Sequence, residues 1–409
     1  MKIPVPTLFR RFLAALIPLL LTYHALLFYG FLANAVLYAL LFVAFMAYLF
    51  IDWRNSLILS CALLGATLLL NFLVGLVGID DRIYYREHER FGVYNSDLQA
   101  DTYRKNVDVT LKEPFGDVYA VGGAKGLEAE PRTVRFRTDS LGFRNEAAYK
   151  GQKYVLVGDS FVVANGCSQE DMLASQLKDG YGIDAYTLAY PGGIPEYVRF
   201  IRYLERKSRD DFRVLLFLFE GNDFPESYSR KHFVVKKNFI KALFATYRSF
   251  FKETTLYRYT FSLAASRKKK PFTSTVLTVK GHKIGDFNEY VHATERQSYN
   301  FPERGVQALA GVSGRIDHIF FIPTKFRVYY DFLDSGKGNP LPDAQWEAVK
   351  ALGARLKIPC TDLTAPLVAD SAELLKKDRF TFWKDDSHWN RQGIAVAAGI
   401  VASRVGAGK

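Results

Sequence analysis

The sequence predicts an α/β fold, a parallel sheet covered by helices on both faces, preceded by N-terminal transmembrane helices. Three observations predict it. From Lys153 onward, short apolar runs alternate with helical stretches; polar turns follow three of those runs directly; and residues 12–50 carry no Asp, Glu, Lys or Arg. Alternation of strand and helix is the pattern of a sheet whose parallel strands are joined by crossover helices.

The apolar region comes first in the chain. Residues 12–50 offer about twice the length that one crossing of a bilayer requires. Leu57–Ile79 (LILSCALLGATLLLNFLVGLVGI) is long enough for one more, after the polar loop Asp52-Trp53-Arg54-Asn55-Ser56. A buried helical core or a cleaved signal peptide is the alternative, but a signal peptide is shorter and has no later spans. The natural division is three helices, at about residues 12–30, 33–50 and 57–78. Lys2, Arg10 and Arg11 precede the first helix, and Arg54 lies between the second and third. Basic flanks stay cytoplasmic, so an odd number of crossings puts everything from Asp80 onward on the far side. The expected domains are a membrane region at 1–79, a linker and hairpin subregion at 80–152, and a catalytic domain at 153–409.

The net charge of +12 comes from 54 Lys and Arg against 42 Asp and Glu. On the far side of a membrane such a balance suits acidic glycans or anionic headgroups and disfavours nucleic acid. An ordinary solvated surface, including the tract Arg267-Lys268-Lys269-Lys270, is the preferred explanation. Cys61 falls in the third apolar helix, whereas Cys167 and Cys360 would be exported, where a disulfide is permitted, although free core cysteines are the preferred reading.

Within 80–152 the clearest element is a candidate hairpin from Val134 to Arg144 (VRFRTDSLGFR). Strands are expected at Tyr154–Val157, Ala185–Ala189, Val214–Phe219 and His318–Ile322, with a weaker one near Ile358–Thr361. Helices are expected at Glu196–Lys207 and Ala344–Leu356. Residues 224–310 interrupt the alternation; rich in Lys, Phe and Tyr, with a helical stretch at about 236–265, they read as an insertion able to cover a site.

Four short segments carry chemistry. Gly158-Asp159-Ser160-Phe161 follows the first strand, and a serine at a strand-to-helix turn sits at the carboxyl edge of the sheet, where ligands bind. The helix starting there presents backbone N–H groups to an oxyanion on that serine. No G-x-S-x-G elbow is present, which disfavours an α/β-hydrolase. Pro191-Gly192-Gly193 follows the second strand; a glycine lets backbone N–H approach a site closely, although a plain turn would look the same. Glu220-Gly221-Asn222-Asp223 follows the third strand, and Asn222 offers an amide donor or a helix cap. Asp385-Asp386-Ser387-His388 supplies a histidine beside carboxylates, which fix its tautomer so that it takes a serine proton. Neither a metal-ligand cluster nor a glycine-rich phosphate loop is visible, and no cofactor is implied.

Taken together, GDSF, PGG, GND and DDSHWN resemble the successive blocks of the SGNH hydrolase superfamily, over about residues 153–400. The resemblance implies a three-layer α/β/α sandwich, with Ser160 as nucleophile and His388 as base. It implies an oxyanion hole of the Ser160 N–H, a glycine N–H (Gly193, or the adjacent Gly192) and the Asn222 side chain. Members commonly place the carboxylate three residues before the histidine, here Asp385, and some place it two before, here Asp386; Asp385 is the expected partner. Thr138-Asp139-Ser140-Leu141-Gly142-Phe143-Arg144 resembles a segment of membrane-anchored bacterial members. Ile322-Pro323-Thr324-Lys325 resembles one of the periplasmic alginate O-acetylation proteins, from which the chain departs by its three apolar helices.

The expected activity is therefore acyl transfer through an acyl-Ser160, with O-acetylation of a cell-surface or exported glycan as the expected reaction. A multi-spanning membrane acyltransferase is the expected acyl donor, and the bacterial inner membrane, with the catalytic domain periplasmic, the expected location. A tethered esterase acting on a glycan or lipid is the competing enzyme class; a glycan-binding assembly subunit is the non-enzymatic one.

Overall fold

The computed structural model describes residues 87–224 and 272–406, except positions 96, 125, 209 and 337, together with four isolated positions between 69 and 76. The chain divides into two units, Met1–Tyr84 with Phe250–Lys269, and Tyr85–Ser249 with Lys270–Lys409. The second unit carries all four of the segments singled out for their chemistry. The expected membrane helices and the helical stretch at 236–265 lie outside the described residues. Among the described residues no helix is long and apolar enough to cross a membrane.

Along the chain, β1 (Gly92–Asn95) pairs antiparallel with β2 (Ala100–Tyr103), and β3 (Asp108–Glu113) leads through the short helix α1 (Asp117–Ala120) to β4 (Arg132–Arg137). Then come β5 (Tyr154–Val157), α2 (Ser160–Val163), α3 (Leu173–Tyr181), β6 (Ala185–Thr187), α4 (Ile194–Lys207) and β7 (Arg213–Phe219). After the break, β8 (Ser274–Val279) and β9 (His282–Phe287) form a hairpin, followed by α5 (Asn288–Thr294) and α6 (Glu303–Ala310). The remainder is β10 (Ile316–Ile322), α7 (Lys325–Tyr329), α8 (Ala344–Leu356), β11 (Cys360–Asp362), α9 (Thr364–Leu375) and α10 (Arg391–Gly406).

Five of these strands form one parallel sheet in the order β11-β10-β7-β5-β6. All five expected strands are in it, with ends shifted by a few residues. Its central strand explains the run VLLFLF: Val214, Leu216 and Leu218 enter one core, while Leu215, Phe217 and Phe219 enter the other. Helices α4, α6 and α8 pack against the first face; α3, α9 and α10 pack against the second. A strand buried on both faces has no solvent side, so it reads as continuously apolar instead of alternating. Each such side chain contributes about 1.5–3 kcal/mol on burial, which makes β7 the thermodynamic centre of the unit.

One sequence expectation needs correcting: Val134–Arg144 is not a local hairpin. Strand β4 pairs antiparallel with the upstream β3, from Asp108↔Arg137 to Glu113↔Arg132, and only the single bridge Thr138↔Arg144 closes the segment after it. The Asp139 carboxylate folds that segment into a turn by accepting from the N–H groups of Leu141, Gly142 and Phe143. The disulfide that export would permit between Cys167 and Cys360 is not formed. Both cysteines are free, and they belong to the cores on opposite faces of the sheet.

Candidate active site

The turn after β5 begins with Asp159. Its carboxylate Oδ1 caps the one-turn helix α2 by accepting from the Phe161 N–H at 2.9 Å. Ala164, at φ 60°, ends that helix in the left-handed region. Ser160 is thus the first helical residue, held at the carboxyl edge of the sheet by a cap in front and a stop behind. The stop is reinforced by Arg144, which is 1% exposed. Its guanidinium donates to the carbonyls of Val163, Ala164, Arg135 and Cys167 and to Gln169 Oε1. The carbonyls left over at the end of α2 are therefore satisfied by one buried side chain.

Ser160 Oγ lies 2.7 Å from His388 Nε2. On the other side of the ring, His388 Nδ1 lies 2.6 Å from Asp386 Oδ1. An imidazole so placed donates Nδ1–H to the carboxylate and leaves the Nε2 lone pair for the serine O–H. The Phe161 ring lies 4.9 Å from the imidazole between centroids, and Trp389 packs edge-on against Phe161.

The carboxylate at the histidine is Asp386, and the expectation of Asp385 is corrected. Asp385 is fully buried and turned away from His388. It accepts from the N–H groups of Gly116 and Glu130, both at 2.8 Å, and from Arg132 Nη2 at 2.9 Å. Burial raises its pKa, and the Arg132 charge pulls it back. The loop bends through both residues, and one aspartate anchors it while its neighbour faces the ring.

The other two expected blocks lie on the adjacent turns. Gly193 caps α4, and its N–H donates to Glu196 Oε2 at 3.2 Å, so in this conformation that amide is engaged within its own helix start. Asn222 is exposed, on the turn after β7. Beside it Asp223 is buried; it accepts from the Phe219 N–H and from the Tyr197 hydroxyl, which also stands 3.2 Å from the Gly192 carbonyl. One phenol thereby ties the turn after β6 to the turn after β7. Burial, and then the charge of Asp159, hold the Asp223 carboxyl well above its ordinary range. Asp159 itself is pushed up to about 6 by burial, and its Oδ2 has no hydrogen-bond partner among the described residues.

Several participants escaped the sequence reading. Asp117 accepts from both the N–H and the hydroxyl of Ser387, and its own N–H donates to Asp386 Oδ2. Lys325 is buried with its ammonium on the carbonyls of Gly285 and Lys384, and burial lowers its pKa. Asp117 and Arg132 come from residues 80–152, which read as a linker because their apolar pattern is sparse; nothing local marked them. Arg144 and Lys325 lay inside segments noticed for resemblance alone. Asp117, Asp386 and His388 bring ligand-type atoms within 4.8 Å of one another, a spacing that a cation could use. A cation there would compete with the Nδ1–H bond to Asp386.

No protein-family model matches the chain, and no curated protein matches it. The functional reading therefore rests on these residues and their geometry.

Proposed function

We propose that this unit is an SGNH-type serine acyltransferase with the three-layer sandwich of that superfamily, acting outside the cytoplasm on a glycan. The observation that carries the reading is the chain of contacts Ser160–His388–Asp386, at 2.7 and 2.6 Å, at the carboxyl edge of a parallel sheet. In the reaction, His388 Nε2 takes the Ser160 proton as Oγ attacks the acyl carbonyl. The imidazolium formed is stabilised by Asp386 and then protonates the departing oxygen, leaving an acyl-Ser160. An acceptor sugar hydroxyl, deprotonated by His388, attacks that ester; the acyl group moves to the sugar and Ser160 recovers its proton. The Ser160 N–H and the Asn222 amide would serve the oxyanion. Gly193 would join them only if its N–H leaves Glu196. A multi-spanning membrane acyltransferase would supply the acyl group, and helices in residues 1–79 would hold the unit at the bacterial inner membrane.

The full-length protein, given an activated acetyl ester and candidate oligosaccharides, is expected to yield acetylated sugar by mass spectrometry. Ser160→Ala abolishes both this product and the acetylated protein. Acetate release that no added sugar changes would convert the reading to an esterase. An unmodified serine across a wide ester panel would leave the glycan-binding subunit.

A further inference from the structure

We infer that Asp117 is a second positioning carboxylate for His388, able to take over the imidazole when Asp386 is lost. The inference rests on the serine-hydrolase reading of this site. Asp117 is 1% exposed, and its Oδ2 lies 3.5 Å from His388 Nδ1. The same oxygen accepts from Ser387 Oγ at 2.6 Å, and Oδ1 accepts from the Ser387 N–H at 2.7 Å. Its backbone also orients the first carboxylate, since the Asp117 N–H donates to Asp386 Oδ2 at 2.9 Å. Asp386 Oδ1 meanwhile takes both the N–H and the Nδ1 of His388. The ring therefore faces one carboxylate in hydrogen-bond contact and another less than an ångström farther off. Arg132, 3.8 Å from Asp386 Oδ2, and buried Lys325 balance the local negative charge.

A clasp for Ser387 alone would not require the carboxylate to border the imidazole. Because it does, the positive ring formed during proton transfer meets two negative groups. The tautomer with hydrogen on Nδ1 also keeps an acceptor if one of them is neutralised. Complete loss of the orienting carboxylate costs a serine triad about four decades in rate. Here each single loss is cushioned by the other group, and only the double loss exposes the whole effect.

The test uses the full-length protein and the rate of Ser160 labelling by a fluorophosphonate. Asp386→Asn is expected to slow labelling about 100-fold and Asp117→Asn about 10-fold, whereas the double variant slows it about 10,000-fold, beyond the product of the singles. A double loss equal to that product, or smaller, overturns the proposal. Asp386→Asn/Ser387→Ala separates positioning from mere clasping. It frees Asp117 Oδ2 to approach Nδ1, so labelling at least matches Asp386→Asn; a further loss overturns the proposal. A readout independent of turnover is the low-field Nδ1–H proton resonance of His388 in the inactive Ser160→Ala background. It is expected to survive Asp386→Asn and to vanish when Asp117→Asn is added. Its disappearance in Asp386→Asn alone counts against Asp117. If the unmutated protein is never labelled, the serine-hydrolase reading fails, while the resonance still decides the role of Asp117.

Discussion

At Asp385 and Asp386, two identical side chains on adjacent residues have opposite duties. Asp385 is the nearest anion of buried Arg132, at 2.9 Å, so Asp385→Asn leaves the guanidinium only Asp386 and Glu113 at 3.8 and 3.9 Å; a loss of about 2–3 kcal/mol is expected. Urea unfolding measures it. The fraction that remains folded should label at Ser160 within tenfold of the unmutated rate, because the His388–Asp386 contact is untouched. The doublet also marks the limit of sequence reading. The motif announced a histidine with a carboxylate, and Ser160 and His388, 228 positions apart, came together as expected. Which aspartate meets the ring depends on where Gly116, Glu130 and Arg132 lie, and no spacing within DDSH encodes that.

Among the elements, α2 is a single turn between β5 and a left-handed stop, so its two ends carry unusual weight. At the front, burial raises the Asp159 pKa from 3.8 to about 6. The folded form therefore binds the extra proton between those values. The stability this gives is complete below about pH 4 and lost as the pH rises through about 6. Asn caps a helix as well as Asp does, so Asp159→Asn isolates the charge. Its stability relative to the unmutated protein should rise across that window by about 3 kcal/mol, since a tenfold change in proton affinity is worth about 1.36 kcal/mol. Denaturant midpoints at pH 4, 5, 6 and 7 measure it. At the back, Arg144→Met removes five hydrogen bonds and leaves four carbonyls and an amide oxygen without that donor; a loss of about 3–5 kcal/mol is expected in the same assay. The sheet was legible because two-sided burial writes itself as unbroken apolar runs. The Val134–Arg144 segment was not, since β4 finds its partner upstream at β3 and the residues after it are shaped by the Asp139 side chain.

Across the whole molecule, residues read as a linker form one wall of the site. The segment from β3 to β4 supplies Glu113, Gly116, Asp117, Glu130 and Arg132, and the loop at 385–388 is fastened to four of these by the hydrogen bonds described above. A fragment starting at Lys153 keeps Ser160, Asn222 and His388 yet loses every one of those fastenings. It is expected to be insoluble or to label at Ser160 more than 100-fold slower than the full chain. Topology belongs to the same scale: with Arg10, Arg11 and Arg54 flanking three apolar stretches, a reporter fused after Asp80 should be active only if it folds outside the cytoplasm. Cytoplasmic activity of that fusion would refute the three-helix arrangement.

The distance in sequence between nucleophile and base also has a bearing on time. Synthesis delivers Asp117 and Ser160 early and His388 only after all five strands of the parallel sheet and the β8–β9 hairpin. Until that loop docks onto the earlier segment, the serine has no proton acceptor and remains an ordinary alcohol. The protein thus carries its own delay: the Ser160–His388 contact is completed only by the last docking event.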